Sequence, residues 1–473
     1  MTASRTFDLA VIGSGPGGYR AAVLGALRGL EVAIIEQGVW GGTCLNRGCV
    51  PKKAWYASAR LVAANRGYAA RGLAGRLTPD LDQAWRHQRS VVAAVRASYV
   101  DYLERLGVTA FTGRATLRTA RDIDIAGAGT ISAGAVILAT GSSPFVPPAL
   151  ALHAGRVLTT DELFDAPPPP GRRVAVIGSG VIGTEMAFIL ALLGCEVVWL
   201  TQSEPLARVG FTPPALALLA DALGQHDIRP RRSGRPRGRT IDAEGVTLQL
   251  PDGSDERVDW ALVASGRRPN VRSLGLEAVN VATDAGGFIA TDERTMTAAP
   301  GVYAIGDCAN ARMTSNHALA EAAVAVENII SPGSARRDAA AVPEVIYSAL
   351  ELARLGLSET QAEDAGREPA TGFASLEVSP AALAIGEPRG FVRVVADLDS
   401  GALLGAEAVG AHAGEWIHAV GATFRAPDAL ARLAGIRYNH PALAEEILNA
   451  TETLASKWGL GAVVFGGAGH GTE

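Results

Sequence analysis

The chain has 473 residues, 48% of them hydrophobic and 19% charged, with a formal net charge of −5. That length exceeds what one core accommodates and predicts about two to four domains. The acidic balance argues against a nucleic-acid partner, and no apolar run approaches the roughly 20 residues of a membrane span. The chain has four cysteines, Cys44, Cys49, Cys195 and Cys308. Such scarcity fits a reducing cytoplasm, where a close pair is catalytic or metal-binding rather than structural. No Cys/His cluster has ligand spacing, so no metal is expected. Met1 to Phe7 is too short for a signal peptide, and none is expected.

Residues 7–12 read as a short apolar strand, followed by Gly13-Ser14-Gly15-Pro16-Gly17-Gly18, a helix from Tyr19 to Gly29, and a strand Val32 to Ile35 ending at Glu36. Strand, glycine turn, helix, strand and acid in this order form a dinucleotide-binding βαβ unit. The glycines let the backbone approach a pyrophosphate at the helix N-terminus, and the acid can bind a ribose. The alternative is a glycine-rich turn in an unrelated α/β fold.

Gly41-Gly42-Thr43-Cys44 and Asn46-Arg47-Gly48-Cys49-Val50-Pro51-Lys52-Lys53 follow, with Leu45 between them. Two cysteines five residues apart fall on the first turns of an expected helix. Ideal helical geometry does not match the roughly 4.4–6.8 Å Cα separation of a disulfide, so Gly48 and a distorted turn are needed to bring the sulfurs together. A dithiol at a helix N-terminus beside lysines favours thiolate and is redox-active.

Asp82 to Leu106 reads as a long amphipathic helix, and a strand Ala135 to Leu138 runs into Ala139-Thr140-Gly141. Pro167 to Pro170 mark a boundary. The dinucleotide pattern then recurs: strand Val174 to Ile177, Gly178-Ser179-Gly180-Val181-Ile182-Gly183, helix Thr184 to Leu193, strand Glu196 to Leu200. Two such units imply two nucleotides and electron traffic between them. The second strand ends at Leu200-Thr201-Gln202 with no carboxylate, and Arg208 follows, which tilts the nucleotide toward NADP. Arg229 to Arg239 holds six arginines and reads as an exposed strand and loop.

Beyond a strand at 261–263 comes Gly266-Arg267-Arg268-Pro269-Asn270, and Val302 to Ala304 leads to Gly306-Asp307. Asp307 is a hydroxyl acceptor for a cofactor sugar or, equally, a helix N-cap. The C-terminal part alternates strands (391–396, 403–409) with helices (414–423, 427–433, 441–457). The tail from Gly459 is expected to be poorly ordered.

Together these motifs resemble the flavin-dependent pyridine nucleotide–disulfide oxidoreductases, the group that holds dihydrolipoamide dehydrogenase, glutathione reductase and mercuric reductase. The resemblance extends from the first glycine motif to Glu446, ending in His440-Pro441 with Glu445. It implies an α/β fold of two Rossmann-like dinucleotide-binding domains and a C-terminal α+β dimerisation domain. The expected boundaries are 1–153 (FAD domain with the redox disulfide), 154–280 (NAD(P) domain), 281–341 (a segment completing the FAD domain) and 342–473 (dimerisation).

The resemblance also implies roles. Gly13, Gly15, Pro16, Gly17, Gly18 and Glu36 would hold the ADP half of FAD. Gly42, Thr43, Thr140, Gly141, Gly266, Arg267 and Gly306 would line the cofactor, with Asp307 on its ribityl chain. Gly178, Gly180, Val181, Ile182, Gly183, Thr201 and Arg208 would take the pyridine nucleotide. Cys49 would face the flavin and Cys44 the substrate, while Lys52 or Lys53 would pair with Glu185 where hydride passes. His440, oriented by Glu445, would be the base and would serve the partner subunit of a homodimer. Thiol–disulfide exchange needs such a proton acceptor, and histidine as a residue type titrates in the right range. His412 and His418 are left structural, Cys195 is assigned to the core, and Cys308 receives no role.

For the substrate, Gly15-Pro16-Gly17-Gly18-Tyr19 looks like lipoamide dehydrogenases. The serine and arginines that glutathione reductases use on their tripeptide are replaced by Pro16, Val23 and Ala323. Each lost charge-assisted bond removes about 1.5–3 kcal/mol. Pro51-Lys52-Lys53 and Ser98-Tyr99 look like glutathione reductases, with Tyr99 at the substrate. Tyr438 stands where lipoamide dehydrogenases often have histidine, and no C-terminal cysteine pair of the mercuric reductase kind is present. The expectation is a dihydrolipoamide dehydrogenase-like enzyme acting on a small-molecule or protein-bound lipoyl dithiol. Alternatives are an NADPH-dependent glutathione-type reductase of another small disulfide, a flavin-based metal or quinone reductase, and a redox-sensing flavoprotein without turnover.

Overall fold

A computed structural model describes residues 5–466. The chain forms two compact units, one comprising residues up to Ser58, Asp80–Ala175 and Pro236–Arg337, the other Ala59–Pro79, Val176–Arg235 and the part from Asp338 onward.

The first unit is built on a sheet in the order Thr109–Thr112, Val32–Glu36, Arg5–Ile12, Gly129–Leu138, Asp122–Ile125, Ala115–Leu117. Arg5–Ile12 lies parallel to both Val32–Glu36 and Gly129–Leu138. The last residues of Gly129–Leu138 also pair in parallel with Val302–Ala304. Side chains alternate across this sheet with period two. Leu9, Val11, Ile34 and Ile137 pack on one face with Ala21, Ala22, Ala322 and Val326 from helices Pro16–Leu27 and Ser315–Ile330. Phe7, Ala10, Ile12, Val136 and Leu138 fill the other face with Ile123, Ile131 and Ile289. A sheet buried on both faces explains the unbroken apolar run Leu9-Ala10-Val11-Ile12.

In the second unit, strand Glu196–Leu200 pairs in parallel with Pro230–Arg231. The helix Val181–Leu192 is buried on nearly every side from Gly183 to Leu190. Its C-terminal part holds a five-stranded antiparallel sheet in the order Glu344–Tyr347, Glu351–Gly356, Leu403–Gly410, Phe391–Asp397, Pro369–Ser375. Helices Ala413–Thr423, Ala429–Gly435 and Glu446–Trp458 pack on it through Trp416, Ile417, Leu430, Leu433, Ile447 and Leu454.

Several elements depart from expectation at their ends. Both nucleotide-unit helices begin three residues earlier, at Pro16 and Val181, because the glycine turn flows directly into the first helical turn and proline is tolerated there. The helix expected from Pro441 starts at Glu446, after a 3₁₀ turn Leu443–Glu445. The expected loose tail instead forms helix Gly461–Phe465 with Val464 buried, and its remainder lies outside the described residues. Among the described residues, no helix is long and apolar enough to cross a membrane.

Candidate functional site

The first glycine turn is shaped by close approach. Gly13 has φ +105°, and a Cβ there would lie 2.3 Å from the Ala139 carbonyl oxygen; one on Gly18 would lie 1.9 Å from the Gly13 carbonyl oxygen. Gly15, by contrast, faces open space, and no side chain caps the helix N-terminus that it begins. Helix Pro16–Leu27 therefore presents uncapped N–H groups beside an opening where a side chain would fit, which suits a diphosphate. Glu36 is already anchored there: it accepts from Ser14 N at 2.9 Å, Ser14 Oγ at 2.7 Å and Gly38 N at 2.8 Å.

The expected Ala-Thr-Gly and Gly-Arg-Arg-Pro-Asn motifs meet. Ser142–Pro144 pairs antiparallel with Arg267–Pro269. Thr140 Oγ1 donates to the Asn270 carbonyl at 2.6 Å, and Asn270 Nδ2 donates to the Thr140 carbonyl at 3.1 Å. Asp307 accepts from Ser142 Oγ at 2.5 Å, and the same hydroxyl accepts from Arg267 Nε at 2.7 Å. The N-cap reading of Asp307 is not what forms: the turn Gly306–Cys308 is entered from Ile305, and helix Ser315–Ile330 is capped by Thr314. Beneath the turn, buried Glu321 accepts from Gly306 N at 2.7 Å and Asn310 Nδ2 at 2.6 Å. Burial pushes its carboxyl above the usual range.

The dithiol does not sit on one helix. Gly42–Arg47 and Cys49–Ala64 are separate helices broken at Gly48 (φ −135°, ψ −110°). A side chain at 48 would press to 3.2 Å on the Thr43 carbonyl oxygen and 3.3 Å on Cys44 Cα. The distortion anticipated at Gly48 is thus the break that carries Cys49 back toward Cys44. Gly42, at φ +61°, lies so close to Gly15 that a Cβ would sit 2.7 Å from the Gly15 Cα, tying the cysteine segment to the nucleotide turn. Asn46 locks the short helix by donating to the Trp40 and Gly42 carbonyls at 3.0 and 2.8 Å, and it accepts from Arg96 Nε at 3.0 Å.

Both cysteines are free thiols. A hydrogen bond with Cys49, then burial, pushes the Cys44 thiol well above its ordinary range, while Ser315 acts in the opposite direction. Cys49 Sγ lies 3.3 Å from Ser315 Oγ on the first turn of helix Ser315–Ile330. Tyr99 stacks on Tyr19, with ring centroids 4.0 Å apart and planes at 20°. Burial first, then the neighbouring Cys44 and Cys49, raise the Tyr99 phenol, so it stays protonated beside the pair. Arg47 is engaged by Asp165 at 2.6 Å. Lys53 Nζ lies 5.6 Å from the Tyr56 ring centroid.

In the second unit, Gly178 has φ +148°, Gly183 would place a Cβ 2.3 Å from the Gly178 carbonyl oxygen, and Gly180 faces open space. Trp199 Nε1 donates to the Gly178 carbonyl at 2.8 Å, fixing the turn against the neighbouring strand. Thr201 is buried, with a hydroxyl that has no partner, and Arg208 is exposed. Glu185 is buried and accepts from Tyr347 N at 2.8 Å. His440 is exposed, and its Nδ1 meets Glu445 Oε1 at 3.0 Å and Oε2 at 3.1 Å. Cys195 is a core residue, as expected, and Cys308 is fully buried, its thiol raised to about 11 by desolvation.

Sequence reasoning missed Ser14, Ser142, Asn270, Ser315 and Glu321. Ser14 and Asn270 stand inside quoted motifs without an assigned role, and Ser142, Ser315 and Glu321 outside any, because each acts on a partner well removed along the chain.

Two dinucleotide turns and a dithiol define a nucleotide-dependent thiol redox protein. Residues 7–326 match the pyridine nucleotide-disulphide oxidoreductase model, and residues 342–451 match the dimerisation domain of the same family. The chain is 35% identical to a dihydrolipoyl dehydrogenase of Thermus scotoductus over 95% of its own length and 98% of the relative. It is 32% identical to a glutathione reductase of Burkholderia cepacia, over 93% and 98%. The crystal structure of LpdA from Mycobacterium tuberculosis superposes with a TM-score of 0.87 at 25% identity, over 95% of this chain and 99% of that one. The chain belongs to the pyridine nucleotide-disulphide oxidoreductase family. It is a flavin disulfide oxidoreductase with FAD and NAD(P) domains and a C-terminal dimerisation domain, which points to a homodimer.

Proposed function

We propose that the protein is a dihydrolipoamide dehydrogenase-like enzyme that moves electrons between NAD(P) and a neutral, small or protein-bound dithiol. The observation carrying this is the Cys44–Cys49 pair beside the stacked Tyr19 and Tyr99, with neighbouring Arg47 engaged by aspartate. A neutral aromatic surround suits an uncharged dithiol arm better than a multiply charged peptide. Reduction of other small disulfides is the second reading, supported by Tyr99.

In this reading Gly13, Gly15, Gly18, Gly42, Glu36, Arg267 and Asp307 hold FAD, which when bound relays two electrons between the dithiol and the nucleotide. Gly178, Gly180, Gly183 and Arg208 hold NAD(P), with NADP favoured by the absent carboxylate at Thr201. Lys52 or Lys53 works with Glu185, and the domains divide at 153, 280 and 341. The scarcity of cysteine supports a cytoplasmic setting.

The chain's own residues then act in order. A substrate thiolate attacks Cys44 Sγ of the oxidised pair, expelling Cys49 as thiolate and leaving a substrate–Cys44 mixed disulfide. The second substrate thiolate closes on the first sulfur, releases Cys44 as thiolate and leaves substrate disulfide. Both substrate thiols must give up their protons before they attack, so exchange needs a base. His440 of the partner subunit fills that role, held by Glu445 as nucleophile–base–orienter systems require.

Replacing Cys44→Ser tests the reading against a flavin-only metal or quinone reductase. Turnover of dihydrolipoamide and of small disulfides should both vanish with flavin content unchanged. Surviving dithiol turnover would overturn the mechanism, and equal rates on oxidised glutathione would favour the second reading.

A further inference from the structure

The six-residue helix Gly42–Arg47 that carries Cys44 is too short to hold its shape alone, and two other helices grip its last turn. Arg96, on helix Leu81–Arg105, directs Nε and Nη2 onto one oxygen, Asn46 Oδ1, the first at 3.0 Å. Asn46 is 4% exposed, and its amide spans the Trp40 and Gly42 carbonyls. Arg96 therefore braces the side chain that closes this helix on itself. The next residue, Arg47, is held from helix Thr160–Asp165. Its Nε lies 2.6 Å from Asp165 Oδ2 and its Nη1 3.8 Å from Asp161 Oδ2. Arg89 Nη1 lies 3.7 Å from the other oxygen of Asp165, so helix Leu81–Arg105 steadies that carboxylate too.

The break at Gly48 follows at once, between Arg47 and Cys49. Glycine has the widest backbone freedom, so the direction in which the chain enters the break decides where Cys49 lands. The two thiols are close enough to share a hydrogen bond, and a disulfide tolerates only a narrow range of geometry. Fixing residues 46 and 47 raises the effective concentration of one sulfur at the other, which favours the closed disulfide over the open dithiol.

We propose that Arg96 and Asp165 are positioning residues of the redox pair: through Asn46 and Arg47 they hold the entry to the Gly48 break and so set how stable the Cys44–Cys49 disulfide is against its dithiol. This deepens the dithiol part of the proposed function and rests on it. It also gives Arg47, a cation set between the two cysteines, a task other than substrate contact.

The test is an equilibrium of the flavin-loaded protein with dithiothreitol. The two S–H groups of the reagent become its S–S bond while the Cys44–Cys49 bond opens to two thiols, so two electrons and two protons pass. Thiols are trapped with a maleimide and counted by mass, and thermal melting verifies that each variant folds. In Arg96→Gln the balance should shift about tenfold toward the dithiol, about 30 mV, the low end of a charge-assisted bond. Asp165→Asn should shift it about threefold, because both partners of the Arg47 pair are 39% exposed. Arg47→Gln should match Asp165→Asn, and combining the two should add little, since they remove one contact. Arg96→Lys, which keeps the charge but not the fork, should recover part of the loss. A merely structural role would lower the melting temperatures of the oxidised and reduced forms equally and leave the balance at its wild-type value. That result, with the wild-type pair closing normally, would overturn this inference alone. A wild-type pair that never closes would defeat the proposed function and this inference with it.

Discussion

Ser315 brings a hydroxyl from a distant helix to the dithiol. It lies 3.3 Å from Cys49 Sγ and opposes the forces that raise Cys44. A donor to sulfur favours thiolate, so its removal should move the pair's titration upward. The two thiols interact, and the apparent values belong to the pair. In Ser315→Ala, ultraviolet thiolate absorbance of the reduced protein should rise at higher pH, with Ser315→Thr restoring the original midpoint. An unchanged midpoint would make Ser315 a bystander.

At the scale of elements, the glycine turns are where sequence and structure agree most closely. Gly13, Gly18 and Gly183 are legible because only glycine tolerates a carbonyl at the distances they show, and Gly178 because its φ of 148° is one that other residues rarely adopt. Gly18→Ala would set a methyl 1.9 Å from the Gly13 carbonyl oxygen, and the turn must open to relieve it. Overpacking of this kind costs about 1–3 kcal/mol, so flavin retention after dialysis should fall by about tenfold. Full retention would remove the turn from the cofactor site. Less legible were strands Glu344–Tyr347, Glu351–Gly356 and Pro369–Ser375, whose short segments are punctuated by Ser348 and Gly372. Gly372 is needed because helix Glu446–Trp458 crosses there: a Cβ would lie 2.0 Å from the Ala450 carbonyl oxygen. Such a need arises from packing against a helix some eighty residues away, which strand periodicity does not record.

For the whole molecule, the exposed His440–Glu445 pair makes the assembly testable. If each histidine serves the other subunit, neither Cys44→Ser nor His440→Gln homodimers should turn over dithiol. Subunits of the two variants, mixed and reassorted, form heterodimers in half of the population. Each heterodimer regains one complete site, so activity should recover to about one quarter of wild type. No recovery, with reassortment verified by differently tagged subunits, would place the base and the pair on the same chain.

The anchoring of Glu36 has a consequence for how long each nucleotide stays. Its carboxylate is aligned in advance by Ser14 and Gly38, and Ser14 in turn accepts from Gly41 N at 3.0 Å beside the dithiol segment. A ligand arriving there spends little of its interaction on ordering the protein, and such preorganisation appears chiefly as slow departure. Beside the second glycine turn, Arg208 is exposed and the equally exposed Arg232 and Glu204 meet at 2.8 Å. In the proposed function, the first pocket is thus built for permanent tenancy and the second for a visitor that leaves at every turnover.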